Sequence, residues 1–290
     1  MKYIFLILVS VTCLLAQPKV LVVNAHPDDE SGCAATIYKI THDLKGTVDL
    51  CLITNGEAGF KYSTLAESWY GLELTDEQIG RTHLPRIRKQ EMMNAGKIIG
   101  LRNIFFLEHQ DQRFTLDINE VFTQAWVPAT VKAQIAEILR KGNYDYVFCL
   151  LPTPDTHGGH KGASILALQA ISEINGKRPV ILGVGFSRKD SVIKQPVTLD
   201  SLAITKLKPN VPPFTFDRST KFGFNDRLNY KIITNWLVAE HKSQGTVQLG
   251  MNEIDLETFW YFDINSPNDI EKTKKFFADI AVVPFKKKTY

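Results

Sequence analysis

A chain of 290 residues with 44% apolar side chains can bury a full core as one large domain, so it needs no disulfide or metal scaffold to fold. A net charge of +3, spread evenly, excludes an electrostatic footprint for nucleic acid; the only basic run is Lys286-Lys287-Lys288 beside the C-terminus.

The first element is a targeting segment. Lys2 precedes an apolar stretch from Tyr3 to Leu15, followed by Ala16, Gln17 and Pro18. That stretch suits a secretory signal better than a membrane span, which needs roughly 20 apolar residues. Residues 1–16 read as a signal peptide and residues 17–290 as a single exported domain, periplasmic or extracellular, with no stable membrane span after processing. An uncleaved N-terminal anchor is the alternative. Cys13 lacks the residues of a lipoprotein box, and the odd set Cys33, Cys51 and Cys149 reads as buried free thiols.

Lys19–Asn24 (KVLVVN) is a β-branched run of the kind buried on both faces of a sheet. A helix is predicted from Cys33 to Leu44 and a second strand over Thr47–Thr54. Residues 60–84, polar with interspersed aromatics, predict a long loop, with a short helix possible over Thr75–Ile79. A helix over Arg86–Ile99, closed by Gly100, leads to a third strand at Ile104–Leu107. Further helices are predicted over Pro128–Arg140, Gly162–Ile174 and Arg227–Lys242, with strands at Tyr146–Leu151 and Pro179–Val184. The pattern dissolves between Gly185 and Phe224. This alternation predicts an α/β fold, a Rossmann-like three-layer sandwich with a mainly parallel sheet.

Ligands in such folds sit beyond the carboxyl ends of the strands. Two polar clusters fall there: His26-Pro27-Asp28-Asp29-Glu30 after the first strand, and Asp155-Thr156-His157-Gly158-Gly159-His160 after the fourth. Each alone has an ordinary reading as a helix cap or a solvated turn. Together they bring two imidazoles and a carboxylate to one sheet edge, the donor set of a catalytic zinc site with a fourth position left for water.

With these residues in view, the sequence resembles the LmbE-like, or PIG-L, family of zinc-dependent de-N-acetylases, which act on N-acetylglucosamine-containing substrates. The match rests on Ala25-His26-Pro27-Asp28-Asp29-Glu30, Arg88-Lys89-Gln90-Glu91 opening a helix, the pair His157 and His160, and His241-Lys242-Ser243-Gln244 ending a late helix. The resemblance implies that His26, Asp29 and His160 bind Zn2+, or another divalent ion such as Fe(II). It implies Asp28 as general base and His157 stabilising, as a cation, or protonating the developing tetrahedral centre. One departure stands out: where the family has an aspartate that orients the first histidine of the second cluster, this chain has Gly159. Asp155 is the candidate to supply that carboxylate by folding back.

Three further residues are candidate substrate contacts. Arg88 resembles a family arginine that faces substrate, though pairing with Glu91 is an equal reading. Trp69 could stack on a sugar or plug the core beneath its loop, and Asp111 lies after the third strand. His42, His83 and His109 have no partner pattern, and Gly183-Val184-Gly185 is too short for a dinucleotide fingerprint. The sequence therefore predicts an exported hydrolase that removes an N-acetyl or related acyl group from a small amino-sugar substrate. The alternatives are an amidase of a sugar-thiol or other glycoconjugate and a non-catalytic sugar-binding protein. The oligomeric state is left open.

Overall fold

Alternate residues of the first strand, β1 (Lys19–Asn24), enter different cores: Val20 and Val22 pack on one face of the sheet, Leu21 and Val23 on the other. That division is the period-two geometry of a strand buried on both sides. The computed structural model describes residues 17–199 and 201–287, so the predicted signal segment, Cys13 included, lies outside the described residues.

After β1 come a 3-10 turn at Asp29–Cys33, helix α1 (Ala34–Tyr38), a π-helical turn at Lys39–Asp43 and strand β2 (Thr47–Thr54). A second 3-10 turn at Glu57–Tyr62 leads to α2 (Thr64–Tyr70), α3 (Glu77–Ile99) and β3 (Asn103–His109). Then follow α4 (Ile118–Gln124), α5 (Pro128–Gly142), β4 (Tyr146–Leu150), α6 (Gly158–Ser172) and β5 (Val180–Ser187). The last part of the chain forms β6 (Phe214–Asp217), the small hairpin β7 (Lys221–Phe222) and β8 (Leu228–Asn229), α7 (Lys231–Glu240), α8 (Gly245–Leu249), β9 (Leu256–Tyr261) and α9 (Ile270–Val282).

Seven strands form one sheet in the order β3-β2-β1-β4-β5-β9-β6. The first five run parallel, and β9 is antiparallel to both its neighbours. Helices α1, α3, α7 and α9 cover one face, α4, α5 and α6 the other. The expected mainly parallel α/β sandwich is the observed architecture. Strand order reverses at β1, between β2 and β4, which is where such sheets open a crevice. Cys33, Cys51 and Cys149 are buried free thiols, as expected. Among the described residues no helix is long and apolar enough to cross a membrane.

Two parts of the sequence reading are corrected. The predicted loop over residues 60–84 is largely helical, because α3 begins at Glu77 rather than Arg86. The Asp76 carboxylate caps it by accepting the Ile79 N–H at 2.9 Å, and the helix continues through Pro85. Leu84 and Ile87 pack there on Ala66 and Leu74, so a satellite core outweighs the hydrogen bond that proline removes. The second correction is β9 and α9, which carry no expectation in the sequence. β9 contains a buried acid, Glu257, whose oxygens accept the Ala35 and Thr36 N–H groups at 2.9 and 2.8 Å and the Arg218 Nε–H at 2.9 Å. A carboxylate with three donors is stable at that depth, yet it hides the strand's apolar pattern.

Candidate metal centre

The backbone leaves β1 at Ala25 and turns at once, so His26 to Glu30 crowd the strand's carboxyl end. One oxygen of Asp29, Oδ2, accepts the N–H groups of Ala25 and His26 at 3.1 and 2.9 Å. That anchors the carboxylate and directs Oδ1 to His160 Nε2, 3.0 Å away. His160 stands in the first turn of α6, and the same Nε2 lies 3.0 Å from His26 Nδ1. Donor atoms on a metal with bonds of about 2.0 Å lie roughly 3.3 Å from one another, and these distances match that spacing.

Charge gives a second test of fit. Burial lowers the His26 imidazole, yet Asp111 and Asp29 outweigh it and push the group up to about 10. The Asp111 carboxylate lies 3.5 Å from His26 Nε2 and is held at about 2: burial raises it, and His26 and Arg88 more than reverse the effect. A buried pocket with a surplus of carboxylate and two converging imidazoles fits a divalent cation. His26, His157 and His160 also form a wider triangle, with donor atoms within 4.8 Å of one another. Asp29 joins them through the 3.0 Å contact to His160 Nε2, and its Oδ2 lies 3.7 Å from His26 Nδ1.

Asp28 sits beside that set in a conformation unusual for a side-chain-bearing residue, with φ of 109°. Its N–H donates to Glu30 Oε2 at 2.9 Å, and its Oδ2 accepts from Arg88 Nη2 at 3.1 Å. Burial raises its carboxyl to about 6, with the Arg88 guanidinium opposing. Behind it, the buried His241 meets Glu30.

Arg88, expected at the substrate, is buried behind Asp28. It donates to the Gly56 and Pro27 carbonyls as well as to Asp28, and it sits mid-way along α3 rather than at its start. Nor does it pair with Glu91, which is taken by Ser243 and Tyr70. Asp111, also expected at the substrate, faces His26, and its other oxygen accepts the Ala58 N–H at 3.2 Å. Trp69 is neither a core plug nor a wall of the cleft: it is 68% exposed on α2, with the Lys242 ammonium 5.6 Å from its ring.

His157 differs from expectation in charge and in partner. Burial, with His26 and His160 nearby, pushes it down to about 4, so at neutral pH it is an imidazole rather than a cation. Its Nε2 lies 3.3 Å from the Arg113 carbonyl, which can only accept, so that nitrogen carries the proton and Nδ1 is left as an acceptor. Asp155 is exposed on the rim and does not fill the role proposed for it. A Cβ at Gly159 would lie 3.2 Å from His157 Nδ1 and 3.3 Å from His26 Cε1, so the position of the missing aspartate adjoins both rings. Phe114 instead stacks on His157, with ring centroids 5.0 Å apart. Phe114 and Arg113 carry no recognisable signal in the sequence, while Glu30 and His241 lie in motifs that gave them no assigned role.

A cleft of about 910 Å3 opens over Asp28, Asp29, His157 and His160 and extends past the end of β5 toward α7 and α8. Comparison with known proteins bears on what this site is. The profile of the PIG-L family, described as GlcNAc-PI de-N-acetylase, matches residues 21–171, more than half of the chain and the span that holds every residue of the cluster. The chain belongs to the PIG-L family. Within it, the chain is 24% identical over 186 residues to the "Probable N-acetyl-alpha-D-glucosaminyl L-malate deacetylase 2" of Bacillus cereus, covering 63% of this chain and 76% of that protein. Among solved structures it shares its fold with the A40926 pseudoaglycone deacetylase Dbv21, at 15% identity and a TM-score of 0.55, covering 86% and 98% of the two chains. It also resembles the 4-carboxy-2-hydroxymuconate hydratase GalB of Pseudomonas putida KT2440, at 14% identity and a TM-score of 0.50, covering 84% and 95%. One fold thus carries deacetylases and a hydratase, so the reaction has to be argued from the site.

Proposed function

We propose that this PIG-L protein is a metal-dependent deacetylase that hydrolyses the N-acetyl group of a small amino-sugar substrate. The observation that carries the reading is the gathering of His26 Nδ1 and Asp29 Oδ1, each 3.0 Å from His160 Nε2, with a clamped carboxylate beside them in Asp28.

Zn2+, or another divalent ion held by those three atoms, would polarise the amide carbonyl and bring the pKa of water toward ~7. The remaining chemistry belongs to the chain. Asp28 takes the proton of the attacking water and returns it to the departing amine, a role suited to a carboxyl that burial has made more basic. Arg88 keeps that carboxylate from swinging away. His157 is fixed by Arg113 and Phe114 and offers Nδ1 as an acceptor at the edge of the site. Phe114, 64% exposed on the lip of the cleft, is an aromatic face for a sugar ring.

The test is release of free amine from methyl N-acetylglucosaminide and related N-acetylated sugars, with bound metal measured on the same sample. Amine release that disappears on chelation and returns with Zn2+ is the expected result. No amine from any acetylated sugar by metal-loaded protein would overturn the reading in favour of a sugar-binding protein.

Residues 1–16 are proposed to direct export. Mass analysis of protein secreted from its host should give an N-terminus at Gln17, and a full-length chain retained in the cell would refute that.

A further inference from the structure

Two loops meet over the first turn of α6, and one buried cation joins them. Lys161 stands in that turn, its N–H on the His157 carbonyl at 3.0 Å. Only 4% of the residue is exposed, and an ammonium brought that far inside has to spend its donors on acceptors. They go to the Pro154 carbonyl at 2.5 Å and the Leu116 carbonyl at 2.8 Å. Pro154 lies in the loop after β4, the loop that carries His157. Leu116 lies in the loop between β3 and α4, which carries Arg113 and Phe114, the two residues that hold the His157 ring.

The loop between β3 and α4 touches the start of α6 at a second place. The Gly158 N–H donates to the Thr115 carbonyl at 2.7 Å. A Cβ at Gly158 would lie 3.0 Å from Val121 Cγ2, 3.1 Å from the Asp117 carbonyl oxygen and 3.1 Å from Thr115 Cγ2, so glycine lets the loop lie this close. That contact alone does not fix the ring. His157 Nε2 is 3.3 Å from the Arg113 carbonyl, a long bond that a small shift of the loop would break. We propose that Lys161 is a positioning residue for the reaction: it straps the two loops together, keeps the Arg113 carbonyl on His157 Nε2, and so keeps Nδ1 as the acceptor at the edge of the site. Without the ammonium two carbonyls lose their shared donor and the loop lifts. The imidazole then takes its proton on either nitrogen, because its tautomer is set by the hydrogen bond that the ring makes. This deepens the deacetylase reading and rests on it.

The experiment uses the Zn2+-loaded full chain with isotope-labelled histidine and reads the His157 tautomer from long-range proton–nitrogen correlation spectra, the signals assigned by their loss in His157→Gln. Bound metal, and kcat and KM for methyl N-acetylglucosaminide, are measured on the same samples. The parent should carry the His157 proton on Nε2. Lys161→Met, which keeps the length of the side chain and loses its donors, should show a ring shifted toward the Nδ1–H form, kcat lower by about 10- to 100-fold, and unchanged metal content. Gly158→Ala, which pushes the loop away at the other contact, should give the same ring signature with Lys161 intact, and it serves where Lys161→Met does not fold. A parent protonated on Nδ1 overturns the proposal, as does a folded Lys161→Met that keeps the parent's tautomer and kcat. A purely structural role for Lys161 would lower Tm and leave both unmoved below the unfolding transition. The tautomer is read without turnover, so the two readings separate. A ring that changes in the variants of a protein releasing no amine leaves the strap standing and removes the deacetylase. Amine release with an unmoved ring removes the strap alone.

Discussion

His241 Nε2 lies 2.6 Å from Glu30 Oε1, and neither side chain reaches solvent. The other oxygen of Glu30 takes the N–H of Asp28, so a residue at the end of α7 fixes the backbone of the proposed base. Burial lowers the His241 imidazole, but Glu30 outweighs it and the net direction is upward. The pair is therefore a buried ion pair that holds Asp28 at its φ of 109°.

Glu30→Gln keeps the shape of this support and weakens it. Its kcat should fall roughly 10- to 100-fold, the cost of a slightly misplaced catalytic group, with KM and bound metal little changed. His241→Ala leaves the Glu30 charge buried and alone, and should cost about 3–5 kcal/mol of stability. Steady-state kinetics and denaturant unfolding check the two. Unaltered kcat in Glu30→Gln would show that Asp28 holds its place without this support.

Asp28→Asn should keep the metal and lose about 10^2- to 10^4-fold in kcat, the range for a general base. His160→Ala should lose the metal as well as turnover. Elemental analysis beside kinetics separates the two variants, and full metal occupancy in His160→Ala would remove that residue from the ligand set.

Gly56 has φ of 70°, and a Cβ there would collide with the Arg88 guanidinium. Gly56→Ala is expected to cost at least about 2 kcal/mol, from the strained φ and from displacing a charged side chain that serves three acceptors. Activity should fall with it, because the group displaced is the one that clamps Asp28. Thermal unfolding read beside kcat tests this, and a variant with unaltered Tm would show that Arg88 has room to move.

Far from the site, Asp49 is buried in β2 and accepts hydrogen bonds from Arg102, Asn103 and Tyr144. Burial raises its carboxyl, but these donors more than reverse the effect and hold it below the ordinary value. A carboxylate lowered in the folded state stabilises the protein above its unfolded pKa of about 3.9, and that contribution fades as pH falls through the folded value. Asp49→Asn should therefore be less stable than the parent by about 2 kcal/mol at pH 7. The gap should narrow below about pH 4, as urea unfolding at pH 7 and pH 3 would show. An equal gap at both pH values would remove the charge of Asp49 as its origin.

The parallel half of the sheet is legible in the sequence because β1, β4 and β5 are apolar runs and β2 is one but for Asp49, and the reversal of order at β1 brings both polar clusters together without further information. What is illegible is support from distant segments. Nothing near Asp28 foretells that Arg88 lies behind it rather than in front, because that depends on the bare Gly56 and Gly59 leaving room for the guanidinium. The resemblance implies a role for His157 as a cation, whereas its charge depends on its burial and on the neighbouring rings of His26 and His160. β9 drew no expectation, and the acid it contains, Glu257, has its carboxylate consumed by the start of α1.

Every group proposed to do chemistry, from His26 to His160, comes early in the chain, and so does Arg88, while three other clasps on the turn after β1 and the helix it opens come late. Arg218 donates to the Ser31 carbonyl, His241 meets Glu30, and Glu257 closes the start of α1. A ribosome therefore delivers the proposed donors and Arg88 before it delivers these three residues. The start of α1 and the turn before it are thus closed by segments that follow the whole parallel half of the sheet.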